Sequence, residues 1–126
     1  MKLSKISKGI PIGCVVQVAD NAVGIKTAKI IGVFHKGGHK RRLLHARIGD
    51  VVKLARKKKM YEAVVIRTKM GVYRLSEDRH YRYDDIAVAI VDMATCKLKG
   101  TRIKGVICKE AFDLYPGLTS LRAKVL

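Results

Sequence analysis

The chain has 126 residues, 27 of them basic and 10 acidic, for a formal net charge of +17, and 48% of it is apolar. That length fits one domain with a core of its own, and that apolar content excludes a disordered basic tail. No run of about 18 apolar residues is present, so a membrane-spanning helix is excluded. The opening Met1-Lys2-Leu3-Ser4-Lys5 has no apolar stretch behind it, which argues against a signal peptide. Cys14, Cys96 and Cys108 are widely spaced and odd in number, as expected of a reduced, intracellular protein.

The charge is uneven. Residues 1–61 hold 15 basic and 2 acidic residues, whereas residues 62–126 hold 12 and 8. So one-sided a field repels itself unless a polyanion neutralises it. Membrane binding would call for a basic amphipathic helix. The basic stretches here contain Gly-Gly or sit between strand-like runs, so nucleic acid is the expected polyanion.

Six segments in chain order read as strands: Cys14–Ala19, Ile25–Phe34, Asp50–Ala55, Ala63–Thr68, Ile86–Val91 and Ile103–Cys108. Each is short, rich in β-branched residues and bounded by turn residues or charge clusters. A small domain with so many strands closes most economically into a barrel, which removes unpaired edges. The expected fold is all-β: a small five-stranded closed barrel with a projecting β-hairpin and a short helical C-terminal region over about 106–121. Ile107, Ala111 and Leu114 or Tyr115 carry the helical spacing, and Pro116-Gly117 stops it.

Between the strands lie basic connections. Residues 36–47 read KGGHKRRLLHAR, and residues 56–59 read RKKK at a hairpin tip. Guanidinium forks suit phosphate oxygens and lysines act as point charges. Lys36, His39, Lys40, Arg41, Arg42, His45, Arg47, Arg56, Lys57, Lys58 and Lys59 are therefore candidate RNA contacts that do little for the fold. Farther on, Tyr73, Tyr81 and Tyr83 are interleaved with Arg74, Arg79 and Arg82. These tyrosines either stack on bases or pack across the hairpin, with equal claim. Arg102 and Lys104 flank Ile103 on a strand and share one face, a second basic surface.

Signs of catalysis are lacking. There is no phosphate-binding loop, nucleophile elbow or dinucleotide fingerprint, and adjacent Asp84 and Asp85 would point to opposite faces of a strand. His35 and His39 resemble half a zinc site, but no paired cysteines accompany them. No catalytic residue, metal or cofactor is expected. The region 106–121 changes character, with Lys109 its only cation. Phe112, Tyr115, Leu118 and Leu121 are too many large apolar groups for one helix stripe. They are candidates for a protein-contact patch, or else for a plug in the barrel end.

Five segments in order resemble one family. They are Gly9–Asn21 (GIPIGCVVQVADN), Ile48–Val52 (IGDVV), Ala63–Lys69 (AVVIRTK), Tyr81–Asp85 (YRYDD), and Lys99–Val106 (KGTRIKGV) followed by Lys109-Glu110. Together they resemble the universal large-subunit ribosomal proteins of the L-fourteen family, called L-twenty-three in older eukaryotic naming. The departures are Ala22-Val23-Gly24 after Asp20-Asn21, Glu77-Asp78 where a hairpin turn commonly ends in Gly, Ile86 in place of Asn, and a shorter 56–59 connection. Leu114-Tyr115-Pro116 resembles the eukaryotic and archaeal ending. The resemblance implies a structural role in the large ribosomal subunit, in the cytoplasm, with ribosomal RNA bound near the subunit interface. Arg67, Lys69 and Lys99 lie within the matching segments and join the RNA-binding set. The resemblance further implies contacts to small-subunit ribosomal RNA across bridges, to proteins of the L-three and L-twenty-four-e families, and to anti-association factors. A free-standing regulatory RNA-binding barrel is the alternative.

Overall fold

The computed structural model describes residues 4–6, 9–19, 21, 24–34, 45–92, 97–98, 100, 102–115 and 122–125. The elements run β1 (Ser4–Ile6), β2 (Ile10–Pro11), β3 (Val15–Val18), β4 (Thr27–Val33), β5 (His45–Ala46), β6 (Val51–Arg56) and β7 (Lys59–Arg67). They continue with β8 (Val72–Arg74), β9 (Arg79–Tyr81), β10 (Ala87–Asp92), β11 (Lys97–Leu98), β12 (Arg102–Ile107), α1 (Lys109–Leu114) and β13 (Arg122–Val125). Each of the six segments read as strands from sequence coincides with one of them.

Five strands form a closed barrel in the order β10-β3-β4-β6-β7, with β7 returning to β10. Every pairing in the ring is antiparallel except β10 with β3, where Ala87 and Val88 lie beside Gln17 and Val18. Alternation sends Val16, Val18, Ala28, Ile30, Val52, Leu54, Ala63, Val65, Val88 and Ile90 into the barrel interior. In β4 the register shifts between Ile30 and Gly32. This bulge moves the inward phase, so that Val33 follows Ile30 into the core.

Residues 63–66 of β7 and 87–91 of β10 read as unbroken apolar runs because both faces are covered there. The faces turned away from the barrel interior carry Val64, Ile66, Ala87, Ala89 and Val91, which pack with Val72, Ile103, Ile107 and Ala111 in a second cluster. That outer layer consists of the β8–β9 hairpin, β12 and α1. Gly71 is obligatory at the entry to the hairpin. Its φ is +66°, and a Cβ there would fall 1.7 Å from the Tyr81 carbonyl oxygen.

The helix is shorter than the sequence spacing suggests. Residues 106 and 107 end β12, the helix covers Lys109–Leu114, and residues 116–121 lie outside the described set. β12 buries Ile103 and exposes Arg102 and Lys104, so Ile107 serves the strand, and Ala111 and Glu110 are buried on the helix.

Candidate nucleic-acid interface

The turn between β6 and β7 is two residues long and joins the pair Arg56–Lys59. Lys57 and Lys58 both take positive φ, +47° and +66°. This is the mirror-image turn whose twist matches a hairpin and which Asn-Gly ordinarily occupies. Four consecutive cations, Arg56 to Lys59, are therefore exposed on a tight, fixed tip. Arg56 donates to Thr27 Oγ1 at 3.4 Å. The other basic hairpin differs. Its four-residue loop, 75–78, has a single positive φ, at Asp78, so the missing Gly is accommodated by a longer turn.

A second cationic surface lies on β12. Exposed Arg102 and Lys104 line a groove of about 520 Å³ together with Gln17, Asn21 and Lys26. The Lys104 N–H donates to the Ala19 carbonyl at 2.8 Å and fixes β12 beside the end of β3. His45 and Arg47 are exposed at the return of the basic loop. Lys36, His39, Lys40, Arg41, Arg42 and Lys99 lie outside the described residues, as do Leu118 and Leu121. Lys69, Arg79 and Arg82 are exposed around the β8–β9 hairpin.

Two arginines of the expected set have a different role. Arg67 is 8% exposed and Arg74 is 6% exposed. Arg67 donates to both Asp85 carboxylate oxygens, at 2.5 and 3.2 Å, and to the carbonyls of Lys104 and Val106. Arg74 donates to both Glu110 oxygens, and its guanidinium lies 4.1 Å from the centre of the Tyr81 ring. The Glu110 hydrogen bonds push the Arg74 pKa up, and the Arg67 hydrogen bonds hold the Asp85 carboxyl below its usual range. A buried guanidinium saturated by carboxylate is unavailable to phosphate. Arg67 therefore fastens the outer layer to the barrel, and Arg74 ties the β8–β9 hairpin to α1 within that layer.

The tyrosines resolve toward packing. Tyr81 and Tyr83 rest against the second cluster, and the hydroxyls of Tyr73 and Tyr81 donate to Asp78 and Glu77. Burial pushes the Tyr83 hydroxyl pKa up. Asp84 and Asp85 occupy a bend instead of a strand; Asp84 is exposed and Asp85 holds Arg67. Tyr115 is half-buried on the second cluster, so it belongs to the outer layer and not to an open patch. Phe112 lies within α1.

Lys26 and Lys29 were missed by the sequence reading. Both are exposed, at the start of β4 and on its outward face. The signal was present, because Thr27, Lys29 and Ile31 alternate with Ala28 and Ile30. It went unused because single lysines on a strand lack the density of a cluster.

The family model for ribosomal protein L14p/L23e matches residues 9–126. The match includes the barrel, the outer layer and both cationic surfaces.

Proposed function

Because the chain belongs to the ribosomal protein L14p/L23e family, whose members are structural, non-enzymatic components of the large ribosomal subunit, we propose that its exposed cations bind ribosomal RNA near the subunit interface. The observation that carries this reading is the sorting of charge by burial. Arg67 and Arg74 are spent on carboxylates, while Arg56 to Lys59, Arg102 and Lys104 stand in solvent with no ion pair among the described residues. Uncompensated cations held on a rigid barrel are positioned for phosphates, whose neutralisation releases counterions. A-form RNA is recognised through its backbone and shape, which suits a surface whose Tyr81 and Tyr83 pack on the second cluster.

In this reading the basic loop around residues 36–47 and the 56–59 tip anchor large-subunit RNA. RNA of the small subunit is met across a bridge. The C-terminal region meets neighbouring proteins of the L-three and L-twenty-four-e families and anti-association factors. The particle is the cytoplasmic ribosome, in a eukaryotic or archaeal form.

Two measurements test the proposal. Neutralising roughly 6–8 phosphates gives log K against log salt a slope near −5 to −7, and a filter-binding slope near −1 is incompatible with it. Sedimentation in high salt should keep the protein with large subunits. Recovery from ribosome-free fractions would favour a free-standing regulator.

A further inference from the structure

Two cationic groups that are distant in sequence are joined in the structure by a residue belonging to neither. Arg56 ends β6 and extends its guanidinium to the Thr27 hydroxyl at the start of β4. The residue before Thr27 is exposed Lys26, whose carbonyl accepts from the Val18 N–H at 2.8 Å, which fixes the backbone there. Lys26 in turn lines the groove that carries Arg102 and Lys104. Exposed cations thus succeed one another from Lys57 and Lys58 at the tip, through Arg56 and Lys26, to β12. Among the described residues lining the groove none is acidic, and Gln17 and Asn21 supply amides.

We infer that these cations form one continuous track for a single RNA backbone, with Lys26 joining its two ends. The inference rests on the RNA-binding reading above, and goes beyond it in giving the tip and β12 to one RNA segment. A groove lined by one sign of charge focuses the field and raises local phosphate concentration. Cations closer together than the Debye length of about 8 Å repel one another until a polyanion spans them. A phosphate chain that satisfies one end of the track therefore gains most by continuing along it. The side-chain amide of Gln17, exposed on β3, can donate to a phosphate or exchange bonds with a ribose 2′-hydroxyl.

The test uses the full chain and an RNA duplex of about 16 base pairs, long enough to cross successive grooves. Lysine acylation read by mass spectrometry reports protection at each site. With one equivalent of duplex, Lys26, Lys57, Lys58 and Lys104 should become protected together, at one midpoint. Lys26→Gln should lower the salt slope by about 1 and separate the midpoints of the tip and of Lys104, with thermal unfolding unchanged. Saturation only at two equivalents, or protection of one end while the other stays reactive, would overturn the single track while leaving RNA binding intact. Absence of protection at every lysine, with salt-insensitive binding, would overturn the RNA reading and the track with it.

Discussion

Arg74 and Glu110, 36 residues apart, face each other through two parallel hydrogen bonds of 2.7 and 3.1 Å. Both are buried, at 6% and 7% exposure. The pair ties the β8–β9 hairpin to α1, and the Cys108 thiol adds a third bond to the same carboxylate at 2.9 Å.

Removing one partner leaves a buried charge without compensation. Glu110→Leu or Arg74→Met alone is expected to cost about 3–5 kcal/mol, while the two together recover most of it. Urea denaturation of the two singles and the double closes the cycle. A single variant within 1 kcal/mol of the parent, on the scale of an exposed pair, would contradict the assignment.

Alkaline pH should weaken the same layer. Burial first, and the Glu110 hydrogen bond second, push the Cys108 thiol from 9.0 up to about 11. A raised folded pKa means that the unfolded chain loses the proton first. The contribution is complete below pH 9 and declines as pH rises toward 11, by up to about 1.4 kcal/mol per unit. Cys108→Ala should flatten that limb in urea midpoints taken across the range. Asp85 has the opposite sign. Its folded pKa lies below 3.8, so its contribution is present above that value and is lost as pH falls through the folded pKa. Asp85→Asn should remove that part of the acid limb.

Gly105 should resist substitution. Its φ is +94°, and a Cβ there would stand 2.7 Å from Arg67 Nη1. Gly105→Ala is expected to destabilise by about 1–3 kcal/mol. Shortening the neighbour with Arg67→Ala should not rescue it, because the backbone strain persists. A Tm equal to the parent's would refute this account.

The tip should show opposed effects on stability and binding. Lysine at two consecutive positive-φ positions is strained, and Asn-Gly suits that turn. Relief of that strain outweighs the entropy cost of Gly, so Lys57→Asn with Lys58→Gly is expected to raise stability by about 0.5–1 kcal/mol. The same variant should reduce the RNA-binding salt slope by about 2. Calorimetry and filter binding on one preparation decide the matter. A gain in stability with unchanged RNA binding would show that the tip does not touch RNA.

The barrel was legible because its strands are local patterns. CVVQVA, DVVKLA and AVVIRT each announce a strand without reference to anything distant. The two-residue tip was legible too, since RKKK separates two such runs. What escaped was set by residues far away in the chain. Arg67 and Arg74 look like any other cations until Asp85 and Glu110 fold against them. β2 and β5 are two-residue strands that exist only through pairing with each other, and β13 forms against β12 in the same way. Local propensity carries no trace of a pairing so short. The helix ran long in the sequence reading because Ile107 fits both a strand period and a helix period, and the β12 pairing decides between them.

The position of β10 in the ring governs the order of assembly. β3, β4, β6 and β7 pair antiparallel in chain order, with the short β5 between β4 and β6, and each pair can close as its residues emerge from synthesis. β10 then pairs with both ends of that series, parallel to β3 and antiparallel to β7. Until residues 87–92 arrive, the growing chain carries two open sheet edges, and both faces of β7 await cover. Such an intermediate is prone to edge-to-edge association. A chain truncated before Ala87 should therefore aggregate instead of persisting as a smaller sheet, and the full-length chain needs protection during the interval before its last barrel strand docks.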